Sequence, residues 1–349
     1  MHSIAKEFNE RLAGTVVDNL LSDLGRRFYF PRGIVSQTAE ASEKAYRIIS
    51  TVGMASKGNE PLYLPSIHRE ISGLTPSEAF SYVPTAGDKK LRAAWKEEMI
   101  RKNPDLKGKL TSMPLVTSGV THGITLTGEL FVDKGDVVLF PDMFWGNYRL
   151  IFEERREAKL ATFPFYTEEK DGINISAMDQ AIADIPGDKA VLVLNFPNNP
   201  SGYSPSVREA EEIVKVLVSH AEKGKQLLII LDDAYFGLFF EKDTFPQSLF
   251  ALLADAHEQI LAVKADGATK EELAWGFRVG FLTFGAKGLT EDHYEVLEKK
   301  FMGAIRSSIS NASRPAQTLL LKALNSSTYR QEKEEAYAEL ERRYLLVKE

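Results

Sequence analysis

The chain has 349 residues, 44% of them hydrophobic and 26% charged, a composition ordinary for a soluble globular enzyme, with a net charge of −6 and no block of like charge. That balance gives no basis for binding nucleic acid or an anionic membrane, and no run of about eighteen apolar residues is present to span one. Cysteine is absent, which excludes disulfides and thiolate chemistry and fits a cytoplasmic location. The opening MHSIAKEFNERLAG is too polar for a signal peptide, and residues 1–50 read as helical but irregular. From about residue 112, apolar runs, turns and amphipathic helices alternate. MPLVTSG predicts a strand feeding a helix over about 120–131. DVVLFPD and AKLATFPF are the next strands, and KAVLVLNF is a strand buried on both faces. Ser204 and Pro205 then have the character of an N-cap and first residue of a helix running to about Lys223. QLLIILDDAYF and QILAVKAD are further strands, and WGFRVGFLTFG is a strand pair or one extended strand. The alternation implies βαβ units, hence an α/β fold with a mostly parallel sheet flanked by helices. From Ala316 the pattern is helical and charged to the last residue, and AYAELERRYLLVKE carries no stop signal. A long helix cut short, and so an incomplete chain, is the expectation.

Several chemistries lack their motifs. There is no GxGxxG after a strand, no GxxxxGK[ST], no GxSxG and no HExxH among the six scattered histidines, which argues against dinucleotide, P-loop, serine-hydrolase and metal sites. Ligands of open parallel sheets sit beyond the carboxyl ends of the strands. The segments there are SGVTHG, PDMFWGNY, NFPNNPSGY, DDAY and ADGATK. They would bring a glycine turn at a helix start, a tryptophan, asparagines, an aspartate, a tyrosine and a lysine to one rim.

In their order and spacing, N-x-P-N-N-P-S-G, L-D-D-A-Y, T-K and G-F-R eight residues after the lysine resemble the pyridoxal-phosphate-dependent class I aminotransferases of fold type I. The match runs over about residues 30–349, and W-G-N resembles the aspartate and aromatic members in particular. The resemblance implies a seven-stranded, mostly parallel sheet with a partial small domain. Residues 1–50 would form an N-terminal arm and part of the small domain, 51–315 the large cofactor-binding domain, and 316–349 the start of an interdomain helix.

It also implies roles. Lys270 would bond the cofactor aldehyde and, once freed, move the proton between substrate Cα and cofactor. Lys264 is the rival, fourteen residues before Arg278, and has the character of a solvated or structural lysine. Asp232 would pair with the pyridine nitrogen, with Asp233 pointing the opposite way on the strand. Tyr235 and Asn199 would hydrogen-bond the phenolic oxygen. Val120 and Thr121 at a helix start, with Thr269 and Arg278, would hold the phosphate. Gly267 departs from the pattern, which often has a serine there, so one phosphate hydroxyl is missing or replaced. Trp145 would stack on the ring, while Trp145 and Tyr148 suit acidic and aromatic substrates alike. Gly53 would lie near the substrate carboxylate. Tyr82 would reach the phosphate of a partner subunit, making the protein a homodimer with shared sites. Arg306, in I-R-x-x-x-S-N, would cross from the partner to clamp a side-chain carboxylate; a solvated arginine is the plain alternative. Pro197 and Pro200 stiffen the asparagine loop, Ser201 and Gly202 turn it, and Asn195 and Asn198 are loop hydrogen-bonders, Asn195 one step behind the cofactor.

The activity implied is ping-pong transfer of an amino group from an acidic or aromatic amino acid to a 2-oxo acid. A β-C–S lyase on the same scaffold would keep the same Lys, Asp, Tyr and Asn; W-G-N and Arg306 tilt against it. A ligand-sensing domain of a transcriptional regulator would carry a basic DNA-binding domain that is not seen here. A silent fragment is the third alternative, because no residue maps to the arginine that binds the substrate α-carboxylate in this family.

Overall fold

A computed structural model describes residues 1–30, 34–46, 51, 53–58 and 60–348. Its centre is a seven-stranded sheet: β1 Leu115–Thr117, β2 Val137–Pro141, β3 Lys159–Phe163, β4 Lys189–Asn195, β5 Gln226–Asp232, β6 Ile260–Gly267 and β7 Gly280–Gly285. The strand order is β1-β7-β6-β5-β4-β2-β3. β2 to β6 run parallel, while β7 is antiparallel to both its neighbours. The strand WGFRVGFLTFG resolves as β7 alone, with Trp275–Arg278 forming the turn that enters it.

The continuous apolar runs follow from burial on both faces. Successive side chains of a strand alternate between faces. Leu192, Leu194, Ile229 and Leu231 pack in one core with Met178 and Ile182 of the helix Ile175–Asp184 and Ile213 and Leu217 of the helix Val207–Glu222. Val191, Val193, Leu228 and Ile230 pack in another with Ile124 of the helix Val120–Phe131 and Phe301 and Ile305 of the helix Glu291–Ser308. The N-terminal stretch is helical as expected, in the segments Ser3–Leu12, Val16–Leu20, Asp23–Arg27 and Ile34–Lys44.

Two expectations need correction. The helix after β4 starts two residues later than Ser204 and Pro205 imply. Its N-cap is Ser206, whose Oγ accepts from Glu209 N while the Glu209 carboxylate accepts from Ser206 N at 2.8 Å, a capping box. The Pro205 carbonyl instead accepts from Phe245 N. The C-terminal segment is two helices, Arg314–Leu324 and Tyr329–Lys348. Short polar side chains break it: the Asn325 amide donates to Leu321 O, and Thr328 Oγ1 donates to Glu332.

Lys264 is structural, not solvated. It is 1% exposed, with Nζ 2.5 Å from Asp233 Oδ2 and 3.2 Å from Asp266 Oδ2. The two carboxylates hold its ammonium well above the usual lysine range against the opposing effect of burial. Ser248 Oγ donates to Asp233, and the Trp95 indole donates to Asp266. Removing one partner of such a group strands charge in the core, at about 3–5 kcal/mol. Lys264→Met is therefore expected to unfold at distinctly lower urea concentration than the unmodified chain by circular dichroism; an unchanged midpoint would show that the cluster contributes no stability.

Candidate active site

The parallel strands deliver their last residues to one edge. Asn195 ends β4 and Asp232 ends β5, and the two are Cα partners in register. The Asn195 amide donates to Asp232 O at 2.6 Å, and its Oδ1 accepts from Asn199 N at 2.7 Å. Asn195 thus ties the asparagine loop to the strand end and itself lines the cavity wall, not a position one step behind it. Asn198 holds the loop to itself and its neighbour: it accepts from Ser201 N and Oγ and donates to Met143 O. The Asn199 side chain makes no hydrogen bond among the described residues and lines a cavity of about 360 Å³.

That cavity gathers Gly53, Val120, Thr121, Trp145, Asn199, Asp232, Tyr235, Thr269, Lys270 and Arg278. Asp232 is 4% exposed, and burial pushes its carboxyl up to about 6. The Tyr148 hydroxyl donates to its Oδ2 at 2.5 Å and Ala234 N to its Oδ1 at 3.2 Å, both favouring the ionised form. Tyr148 corrects the sequence expectation: it is fully buried and faces Asp232, not a substrate. Its phenol is raised well above the usual range by burial and by Asp232. Asp233, next along the chain, belongs to the Lys264 cluster instead.

Lys270 lies on the single helical turn Ala268–Glu271, and its Nζ donates to Gly53 O at 2.6 Å. Burial, and next the Arg278 charge, lower its ammonium from the ordinary range. The amine is thereby shifted toward its nucleophilic form. The Tyr235 ring centroid is 5.0 Å from Nζ, and the phenol is raised by burial and then by Asp232.

At the other end of the cavity, Gly119 is the N-cap of the helix Val120–Phe131, with φ of 80° and no side-chain cap. The first-turn N–H groups of a helix have no partner within it. The Arg278 guanidinium lies against Gly119, where an added Cβ would sit 2.5 Å from Nη2. Among the described residues that guanidinium has no hydrogen-bond partner, and Thr269 Oγ1 is buried without one. Gly267 is glycine for a packing reason: a Cβ there would stand 2.6 Å from Val279 O. A serine does not fit at this backbone position without displacing β7.

Trp275 escaped the sequence analysis. It lines the cavity, donates Nε1–H to Leu62 O, and has its ring centroid 5.3 Å from Lys270 Nζ. Its position three residues before Arg278 was the available signal. Tyr82, 93% exposed, and the exposed Arg306 lie outside the cavity walls. A second cleft of about 700 Å³ adjoins the first and shares Asn199 and Tyr235 with it.

Asp232 has a cost that pH reveals. The folded chain holds its proton to about pH 6, the unfolded chain only to about 3.8. Between these values the folded state binds more protons, so stability falls as pH rises through the window, and the full penalty, on the order of 3 kcal/mol, stands above pH 6. An asparagine removes the charge but gives up one of two accepted hydrogen bonds, worth about 1 kcal/mol. Cofactor-free Asp232→Asn is expected to be about 1–3 kcal/mol more stable than the unmodified chain at pH 8 and to lose that advantage by pH 4. Thermal unfolding across this range checks it, and a pH-independent difference would contradict it.

Three comparisons bear on the site. The family model for aminotransferase class I and II matches residues 57–349. An aspartate aminotransferase of Geobacillus stearothermophilus is 28% identical over 208 residues, 57% of this chain and 47% of that protein. A probable aspartate/prephenate aminotransferase of Aquifex aeolicus is 25% identical over 304 residues, 85% of this chain and 69% of that protein. The crystal structure of an aminotransferase from Anaerococcus prevotii superimposes with a TM-score of 0.76 at 25% identity, over 90% of this chain and 77% of that one. The chain spans about half the length of the Geobacillus relative. The family model covers most of the sequence, and the chain, built around a seven-stranded, mostly parallel α/β sheet, belongs to the class I and II aminotransferases of fold type I.

Proposed function

We propose that the chain binds pyridoxal phosphate and works as an aminotransferase, moving an amino group from an acidic or aromatic amino acid to a 2-oxo acid by ping-pong chemistry. Members of this family use that cofactor. The observation that carries the proposal is the convergence in one cavity of an unpartnered cationic cradle, a buried carboxyl and a desolvated lysine.

The donor set fits the cofactor. Thr269 Oγ1 is a buried polar atom without a partner, and the Arg278 guanidinium and the Asn199 amide are likewise unbonded among the described residues. When bound, pyridoxal phosphate supplies an aldehyde for amines and a ring that draws electrons from the substrate Cα. Arg278, the Val120 and Thr121 amides, and the Thr121 and Thr269 hydroxyls would hold the phosphate by charge and hydrogen bonds. Asp232 would hold a proton at the pyridine nitrogen, with Tyr148 keeping its carboxylate in place. Tyr235 and Asn199 would orient the phenolic oxygen, and Trp145 would cover the ring face. The Lys270 amine would bond the aldehyde carbon and, after release, take and return the proton at the substrate Cα. Gly53, whose carbonyl faces that amine, would border the substrate carboxylate.

Residues 51–315 would form the cofactor-binding domain, flanked by an N-terminal arm with part of the small domain and by the start of the interdomain segment. Tyr82 and Arg306, both outside the cavity walls, would act on the site of a partner subunit in a homodimer. The names of the Geobacillus and Aquifex relatives support an acidic donor. The absence of cysteine supports a cytoplasmic location.

Pyridoxal phosphate added to the purified protein is expected to produce a visible absorbance band that borohydride fixes to Lys270 and that Lys270→Ala lacks; a band of equal strength in Lys270→Ala would refute the assignment. Arg306→Ala is expected to lower the aspartate-over-phenylalanine preference, with 2-oxoglutarate as acceptor, by about tenfold or more, the loss of one charged contact. A ratio that stays constant removes Arg306 from substrate recognition.

A further inference from the structure

Lys270 rides on a helical turn of only four residues, Ala268–Glu271. One turn does not hold itself in water, because nucleation fixes several torsions for a single hydrogen bond. Its exit is strained as well: Leu273 has φ of 52°, a conformation that persists only where the surroundings impose it. Backbone bonds from Ala268 N to Val279 O and from Ala274 N to Ala268 O fix the start of the turn.

The two residues after the lysine are buried carboxylates, Glu271 at 2% and Glu272 at 0% exposure. Both meet cations from other elements. Lys102, at the end of the helix Lys89–Lys102, has Nζ 2.5 Å from Glu271 Oε1. Lys333, on the helix Tyr329–Lys348, has Nζ 3.0 Å from Glu271 Oε1 and 2.7 Å from Glu272 Oε1. Tyr329 donates to Glu272 Oε2 at 2.6 Å, and Tyr337 donates to the backbone carbonyl of Glu271 at 3.3 Å. Two positive charges, each on a side chain 13% exposed, balance two buried negative ones, an arrangement that is costly to break at any one member. The same helix reaches the neighbouring wall: a Cβ added at Gly237, two residues beyond Tyr235, would lie 3.2 Å from the Tyr337 hydroxyl. None of these charged residues lines the cavity, so they act on it only through the turn.

We propose that the cluster of Lys102, Glu271, Glu272, Tyr329 and Lys333 is a positioning device for Lys270, by which the helix Tyr329–Lys348 holds the lysine-bearing turn in place against Gly53. This rests on Lys270 being the lysine that bonds the cofactor. A side chain 63 positions away in the sequence then sets the aim of the reactive amine without touching it.

The test compares the unmodified chain with Lys333→Met and Lys333→Arg, each with and without pyridoxal phosphate. In the cofactor-free proteins, hydrogen exchange of the 268–274 amides is expected to rise by about tenfold or more in Lys333→Met relative to the β5 amides of 226–232, reporting local and not global opening. With pyridoxal phosphate present, the circular dichroism that the protein induces in the visible band is expected to fall in Lys333→Met and to return in Lys333→Arg. If Lys333→Met does not fold, Glu272→Gln takes its place, since it removes a charge while keeping the volume and the acceptor for Tyr329. Exchange at 268–274 that rises only in step with 226–232, or induced dichroism that Lys333→Met leaves unchanged, overturns the proposal. An unmodified protein that forms no band on Lys270 refutes the role of Lys270 itself, and the cofactor-free exchange comparison still decides whether the cluster holds the turn.

Discussion

Burial of the sheet on both faces is the constraint from which the rest of the molecule follows. The apolar alternation in β4, β5 and β6 leaves no place within the strands for a solvated polar group. Polar side chains are admitted where the strands stop, or within a strand where buried partners meet them, as Asp233 and Asp266 meet Lys264 in β6. The parallel register then does the placing: β4 and β5 start and end together, and β6 pairs beside them, so that Asn195, Asp232 and Ala265 lie side by side. The register thus brings residues far apart in sequence to one edge, where they form one wall of the cavity.

The adjacent aspartates show how that edge sorts charge. Asp232 faces the cavity and meets only neutral donors, the Tyr148 hydroxyl and the Ala234 amide, so burial wins and its carboxyl stays close to a proton. Asp233 points to the other side and meets the Lys264 ammonium and the Ser248 hydroxyl. One carboxyl is left receptive to a cationic ligand, and its neighbour is already neutralised by the protein. The difference between them is one residue of strand geometry.

Much of this was legible in the sequence because it depends on local pattern. The run VLVLN names a strand with two apolar faces, and the eight-residue step from Lys270 to Arg278 singles out one lysine over Lys264. What stayed hidden depends on contacts between distant segments. Tyr148 and Asp232 are 84 positions apart, and nothing in FWGNY distinguishes a tyrosine that faces a substrate from one that holds a carboxylate. Gly267 read as a lost hydroxyl, whereas the approach of the Val279 carbonyl is what demands it. The helix start at Ser206 was missed because Glu209, three residues on, outweighs the Ser-Pro pair before it. The break at Asn325 has no glycine or proline and is made by side-chain hydrogen bonds that compete with the helix.

Gly119, Gly267 and Gly280 meet backbone against backbone: a Cβ on Gly280 would stand 2.4 Å from the Gly119 carbonyl carbon and 2.7 Å from Val120 N, and one on Gly267 would stand 2.9 Å from the Gly280 Cα. This end of the cavity is therefore floored by main chain where the three segments cross. Such a floor has no rotamers to freeze, so the ordering entropy of the proposed phosphate binding would fall on the Arg278, Thr121 and Thr269 side chains. A side chain at Gly267 or Gly280 would have to push neighbouring backbone apart, and one at Gly119 would displace the Arg278 guanidinium.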